Sequence, residues 1–279
     1  MVKFLFSLLL LVASLQAEQT LSKGSIKERV HALVEKEDLK THKNLIALIF
    51  KNKNKFLRNG RIDSVKIAAA LKENGLLDLF FGKPTKIYLD FKTGGNALLF
   101  TKLINDALSS LGIYRYLNLR ASSSEGSFER SLMINSEYAP DPVIFSKALE
   151  KIGCKITNIN RKNKSHWTYE IDISNAKLDV ASMNGSEKIT LRQSRNDYWL
   201  RLNNIKKIRL QSLQGNNWYP YVVFYDKELH LLKIFKKDER TKKITFALPK
   251  DTVYIKISDI YQLANLRKGL KIVTQGKSQ

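Results

Sequence analysis

The apolar and polar positions of this chain change period along its length, and the changes divide it into regions. Between residues 85 and 173 the pattern predicts strand, helix, strand, strand, helix, strand, strand. The first strand, residues 87–92, places Ile87, Leu89 and Phe91 on one face, because side chains two apart in a strand point the same way. Gly94-Gly95-Asn96 ends it and supplies an N-cap. The helix that follows repeats Leu99, Leu103, Ile104, Ala107, Leu108 and Leu111 at three- and four-residue steps and stops at Gly112. The second helix enters through Asp141 as N-cap with Pro142 at its first position, and stops at Gly153. The two helices end alike: Ala107-Leu108-Ser109-Ser110-Leu111-Gly112-Ile113 and Ala148-Leu149-Glu150-Lys151-Ile152-Gly153-Cys154 each lead straight into a strand. Residues 127–138 turn Phe128, Leu132 and Ile134 inward. Trp167, Tyr169, Ile171 and Ile173 alternate with His166, Thr168, Glu170 and Asp172 after a hairpin turn at residues 161–165.

Before this region the signals are helical. Ser25 and Glu28 form a capping box ahead of Ile26, Val30, Leu33 and Val34, and a second helix is expected over residues 41–51 with Leu45, Leu48 and Ile49 buried. Asp63 caps a third helix carrying Val65, Ala68, Ala69 and Leu71, closed by Asn74-Gly75. The apolar run at residues 76–81 is too hydrophobic for a free linker. After Ser174 the helical signals almost vanish, and seven short alternating segments between residues 189 and 257 predict an antiparallel sandwich. The expected fold is therefore α+β and multidomain: a signal segment at 1–17, a small helical bundle at 18–82, a ferredoxin-like split βαβ unit at 83–175, and a β-sandwich at 176–279. Val223-Phe224-Tyr225-Asp226-Lys227, Ile244-Thr245-Phe246-Ala247-Leu248-Pro249 and Val253-Tyr254-Ile255-Lys256-Ile257 together resemble the jelly-roll accessory domains of secreted bacterial enzymes and glycan-binding proteins. The resemblance covers about the last hundred residues and implies a fold, not a substrate.

Lys3, an apolar run at 4–12 and a small-residue end at 13–17 predict an export signal, a mature chain starting near Glu18 and a periplasmic location. That run is shorter than the roughly 20 residues a membrane helix needs. The formal net charge of +22 points toward anionic partners, glycan or lipid head groups, although a Lys excess scattered over every segment also fits compositional bias. Nucleic acid is not an expected partner of an exported chain. Lys92-Thr93-Gly94, Ser174-Asn175-Ala176-Lys177 and Ser182-Met183-Asn184 mimic the serine penicillin-binding motifs, but in the wrong order. His31, His42, His166 and His230 have no metal-ligand spacing. No catalytic residue, metal or cofactor is expected, and Cys154, the single cysteine, is expected to be a buried unpaired thiol.

One stretch has the composition of a recognition loop: Asn216, Asn217, Trp218, Tyr219 and, beyond Pro220, Tyr221. Flat amphipathic rings beside amides suit sugar or protein contacts. Pro220 lacks a ladder donor, which predicts an edge or bend with Trp218 and Tyr219 at its rim. The expected role is a non-enzymatic scaffold or adaptor of the bacterial envelope working through protein contacts. The alternative is a glycan- or lipopolysaccharide-binding protein using the C-terminal sandwich, and a hydrolase ranks third.

Overall fold

The computed structural model describes residues 25–194 and 196–277, so the export signal expected at 1–17 lies outside the described residues. The fold is mixed α/β, dominated by sheets, and divides into two compact units between Lys177 and Leu178.

The first unit begins with three short helices, α1 (Ile26–His31), α2 (Lys36–Thr41) and α3 (Lys43–Ile49). The Ser25–Glu28 capping box is formed, and Val30, Leu33 and Val34 are buried. The expected inward face of the next helix is not found. The segment breaks at His42 into two helices of six and seven residues without a buried position, leaving Leu45 36% and Leu48 69% exposed. A minimal hairpin, β1 (Leu57–Arg58) with β2 (Arg61–Ile62), precedes α4 (Ser64–Glu73). Asp63 caps α4 through Val65 N–H and Lys66 N–H while its other oxygen meets Arg58 Nε at 2.6 Å. Burying this carboxylate is tolerable because every side of it is hydrogen-bonded or paired.

The central elements follow in the order β3 (Phe80–Thr93), α5 (Ala97–Ser110), β4 (Leu117–Ser124), β5 (Ser127–Tyr138), α6 (Pro142–Lys151), β6 (Lys155–Asn163) and β7 (His166–Asp172). Their sheet runs β4-β5-β3-β7-β6, with β3 antiparallel to β5 and parallel to β7. In a plain split βαβ sheet the strand after the second helix would lie beside β3. Here β7 takes that place, and β6 is pushed to the edge as its antiparallel partner. Ile87, Leu89, Phe91, Leu132, Trp167, Tyr169, Ile156 and Ile159 form the buried face, covered by Leu99, Leu103, Ile104 and Leu108 of α5 and Phe145 and Leu149 of α6. Helix α4 packs beside α6 and β6, and α1 beside α4, so these early helices extend the same helical layer. Arg161 ties α1 to the sheet, its N–H donating to Ala32 and its guanidinium to Leu33 O and Asp78 O.

Helices α4, α5 and α6 end with one device. The N–H after a left-handed glycine bonds the carbonyl five residues back, Leu76 to Leu71, Ile113 to Leu108 and Cys154 to Leu149, at 2.8, 2.9 and 3.0 Å. Gly75, Gly112 and Gly153 have φ of 72°, 80° and 76°. Cys154 is buried and unpaired as expected, and burial pushes its thiol up to about 12.

The second unit contains β8 (Ala181–Asn184), β9 (Lys188–Leu191), β10 (Tyr198–Asn203), β11 (Ile205–Ser212), β12 (Pro220–Tyr225), β13 (Leu231–Lys236), β14 (Lys243–Ala247), β15 (Tyr254–Asp259) and β16 (Leu270–Gly276). They make two sheets, β13-β12-β15-β10-β8 and β14-β11-β16-β9, that share one apolar cluster including Leu200, Ile208, Leu210, Trp218, Val222, Phe224, Ile255, Ile257 and Ile272. Pairing is antiparallel except where β8 runs parallel to β10.

The matched helix ends give a differential test. At Gly112 an added Cβ meets open space, so Gly112→Ala should cost only the left-handed strain of about 1–2 kcal/mol. At Gly153 the Cβ would stand 2.2 Å from Asn175 O, so Gly153→Ala should lower the urea midpoint clearly further, with both variants compared at unchanged slope.

Candidate functional site

The residues singled out between 216 and 221 do not form one surface. Asn216 is buried: its Nδ2 donates to Gly269 O at 2.7 Å and its Oδ1 accepts from Lys268 N–H at 2.8 Å, clamping the approach to β16. Trp218 is 0% exposed, with Nε1 donating to Ser258 O at 2.9 Å. The expectation of Trp218 at a rim is thus overturned. The physical reason lies in Pro220, which is the first residue of β12 between β13 and β15, not part of an edge strand. A strand's first position tolerates a missing donor as well as an edge does, and the preceding residues are then free to turn under the sheet. Asn217 is exposed and its N–H donates to Asn265 O. Tyr219 is half-buried, its N–H on Asp259 Oδ2 and its ring edge-on to Tyr261 at 5.2 Å.

Tyr221 faces the other way. In β12 the inward positions are Val222 and Phe224, which turns Tyr221, Val223 and Tyr225 outward. The paired strands do the same: Ile255 and Ile257 of β15 and Leu200 and Leu202 of β10 enter the core, and Lys256, Ser258, Trp199 and Arg201 face out. Trp199 and Tyr225 stack at 5.3 Å with planes 21° apart. Two ammonium groups approach Tyr221: Lys236 Nζ lies 5.2 Å and Lys256 Nζ 5.4 Å from its ring centre. Each is within the range in which a ring face attracts a cation. Lys256 also pairs with Asp197 at 3.2 Å, and Asp197 in turn accepts from Ser258 Oγ. Partial burial raises the Tyr225 phenol above its ordinary value, against the nearby Lys256 charge. Sequence reasoning found Tyr221 but missed Trp199, Tyr225, Lys236 and Lys256. The alternation of β12 against β15 was their only signal, and it needs the pairing register to be read.

A second polar cluster lies on the face of the five-stranded sheet away from its helices. His166 Nε2 stands 2.7 Å from Asp90 Oδ2, and Tyr88 borders the imidazole with ring centres 5.7 Å apart. Burial works against ionisation of Asp90, but hydrogen bonds from Ser131 and His166, helped by the charges of His166 and Arg120, outweigh it and hold the carboxyl below its usual value. The order across the sheet, Ser131 on β5, Asp90 on β3 and then β7 with His166, puts the carboxylate between hydroxyl and imidazole. A serine nucleophile needs the imidazole next to the hydroxyl, so this arrangement binds and orders but does not activate Ser131. Among the described residues no group of three or more His, Cys, Asp or Glu side chains converges as a metal site would require.

Two outcomes follow. Trp218→Ala should cost roughly 3–5 kcal/mol of stability, as truncation of a fully buried indole does, seen as a large fall in the melting temperature of the second unit. For Asp90 the folded-state value is depressed, so its stabilisation is complete above the unfolded-state value of about 3.9 and is lost as pH falls through the folded value. The stability gap between the wild type and Asp90→Asn, followed by urea unfolding from pH 5 to pH 3, should hold steady at first and then narrow below about pH 4.

No protein-family model matches this chain, and no curated protein is similar enough in sequence to count as a relative.

Proposed function

We propose that this chain is an exported, non-enzymatic docking protein of the bacterial envelope, a scaffold or adaptor that holds protein partners. The first unit is read as a ferredoxin-like α/β sandwich enlarged by β7, and the second as a jelly-roll-like β-sandwich. The observation that carries the reading is β4. It ends the sheet order, all eight of its residues are exposed, and Arg120 is its one charged side chain. An edge strand presents a row of unpaired backbone donors and acceptors, and long, weakly charged edges invite a strand from another chain. Leu117 and Leu119 are 59% and 51% exposed, and Tyr114 just before them is 74% exposed, so apolar side chains stand ready beside the backbone edge. Main-chain bonding with side chains read alternately is how proteins capture extended segments of other proteins. The bulge between Asn118 and Arg120 limits indiscriminate pairing, as natural edges commonly do. The export pattern at residues 1–17 supports a periplasmic partner, and no helix among the described residues is long and apolar enough to cross a membrane.

The test is capture of partners from envelope extracts by the wild type and by the Leu117→Lys, Leu119→Lys double variant. Exposed substitutions of this kind usually change stability by no more than about 0.5 kcal/mol each. A partner held in stoichiometric amount by the wild type and lost by the variant is expected. Equal retention by both, or no stoichiometric partner at all, would overturn the reading.

A further inference from the structure

We propose that the outward face of β13, β12, β15 and β10 is a binding platform for an acidic polysaccharide, with Tyr221 at its centre. This goes beyond protein docking and uses residues of the second unit alone. The first reason is chemical. An outward sheet face needs only polar side chains to stay solvated, yet here the half-buried rings of Trp199, Tyr221 and Tyr225 occupy it around Val223, which is itself 1% exposed, and none of the three rings is directed into the core cluster. Aromatic rings offer their faces to the C–H side of a pyranose at low entropic cost. The second reason is charge. Arg201, Lys236 and Lys256 stand on this face, and Lys256 pairs with Asp197. Among the described residues no carboxylate forms an ion pair with Lys236, which reaches only the Tyr221 ring. Two ammonium groups that close on one ring create a local positive field, and a carboxylate or phosphate on a sugar chain relieves it.

The third reason is shape. The rings lie along registered rows of a sheet: Lys236 opposite Tyr221, Ile234 opposite Val223, and Val223 and Trp199 both opposite Lys256. Rows of this kind extend across several strands with the half-buried rings at their surface, so they suit a chain of sugars better than a single sugar, which needs a concave pocket. Rings and cations also suit single-stranded nucleic acid. The export pattern at residues 1–17 favours the glycan, since acidic polysaccharides belong to the compartment it points to.

The test uses the purified full chain with three probes, polygalacturonate, neutral dextran and an oligothymidylate, titrated by tryptophan fluorescence at several salt concentrations. Binding of polygalacturonate without dextran is expected. Tyr221→Ala should weaken it roughly tenfold or more, as loss of an aromatic anchor does. Lys236→Gln, at an exposed position where the fold is not at stake, should weaken it and flatten its salt dependence, whereas Lys55→Gln, an exposed lysine of the first unit, should leave it unchanged. Equal effects of Lys236→Gln and Lys55→Gln would mean diffuse attraction to the overall charge and would overturn the site. So would full-strength binding by both Tyr221→Ala and Lys236→Gln, or no binding of polygalacturonate. Tighter binding of the oligothymidylate would overturn the glycan assignment. The docking proposal fails or stands separately, because none of these variants touches β4.

Discussion

The first unit depends on β3. It is the central strand of the β4-β5-β3-β7-β6 sheet, antiparallel to β5 on one side and parallel to β7 on the other, and its inward residues, Ile87, Leu89 and Phe91, are buried to 1% exposure or less. Phe91 meets Phe145 of α6 at 5.7 Å and Tyr169 of β7 at 5.8 Å, which locks helix, central strand and inserted strand into one register. A slip of one residue along β3 would send Tyr88, Asp90 and Lys92 into that aromatic core and bring its apolar set into water. The polar cluster on the other face is a by-product of the same register. With Tyr88 opposite His166 and Asp90 one step on, the imidazole meets the carboxylate diagonally.

Local signals carried much of this fold, and pairing carried the rest. The Ser25–Glu28 box, the caps at Asp63, Asn96 and Asp141, and the three glycine-terminated helix ends are determined within six residues of sequence, so they could be read directly. The order of strands could not. Hairpin β6–β7 satisfies the same alternation whether β6 or β7 lies beside β3, and the choice falls to tertiary packing, where Trp167 stacks near Tyr169 and Arg161 covers the indole at 5.1 Å. Strands β8 and β16 were missed for a similar reason. Ala181–Asn184 has a single buried residue, Met183, and in Leu270–Gly276 the third inward position is the polar Thr274, so only Leu270 and Ile272 mark its inward face.

The 216–221 stretch shows how composition misleads where topology decides. Trp218 and Tyr221 are three residues apart and have the same amphipathic chemistry, yet one is sealed between sheets and the other faces out. What separates them is where β12 begins. Before Pro220 the chain passes beneath the sheet, and an indole there can fill the core because Ser258 O accepts its N–H. From Pro220 onward period two takes over and sends alternate rings outward. The loop's aromatic content was legible; its division between stability and surface was not, since that division is fixed by a strand start no local rule marks.

The net charge of +22 raises a question of distribution more than of amount. In the first unit five of the cations are answered locally: Arg58 by Asp63 and Glu150, Lys72 by Asp141, Lys92 and Arg120 by Glu129, and Lys102 by Asp106. Charges so paired contribute little to long-range attraction, because each cation's field is cancelled within a few ångströms and the rest is screened beyond about 10 Å at 0.1 M salt. Around Tyr221 the arrangement differs: two ammonium groups, Lys236 and Lys256, are directed at one ring, and of these Lys256 alone is paired, with Asp197, among the described residues. A genome-wide preference for Lys would raise the count everywhere but gives no reason for cations to gather over aromatic rings. The clustering, and not the total, is what separates a recognition surface from a merely basic protein.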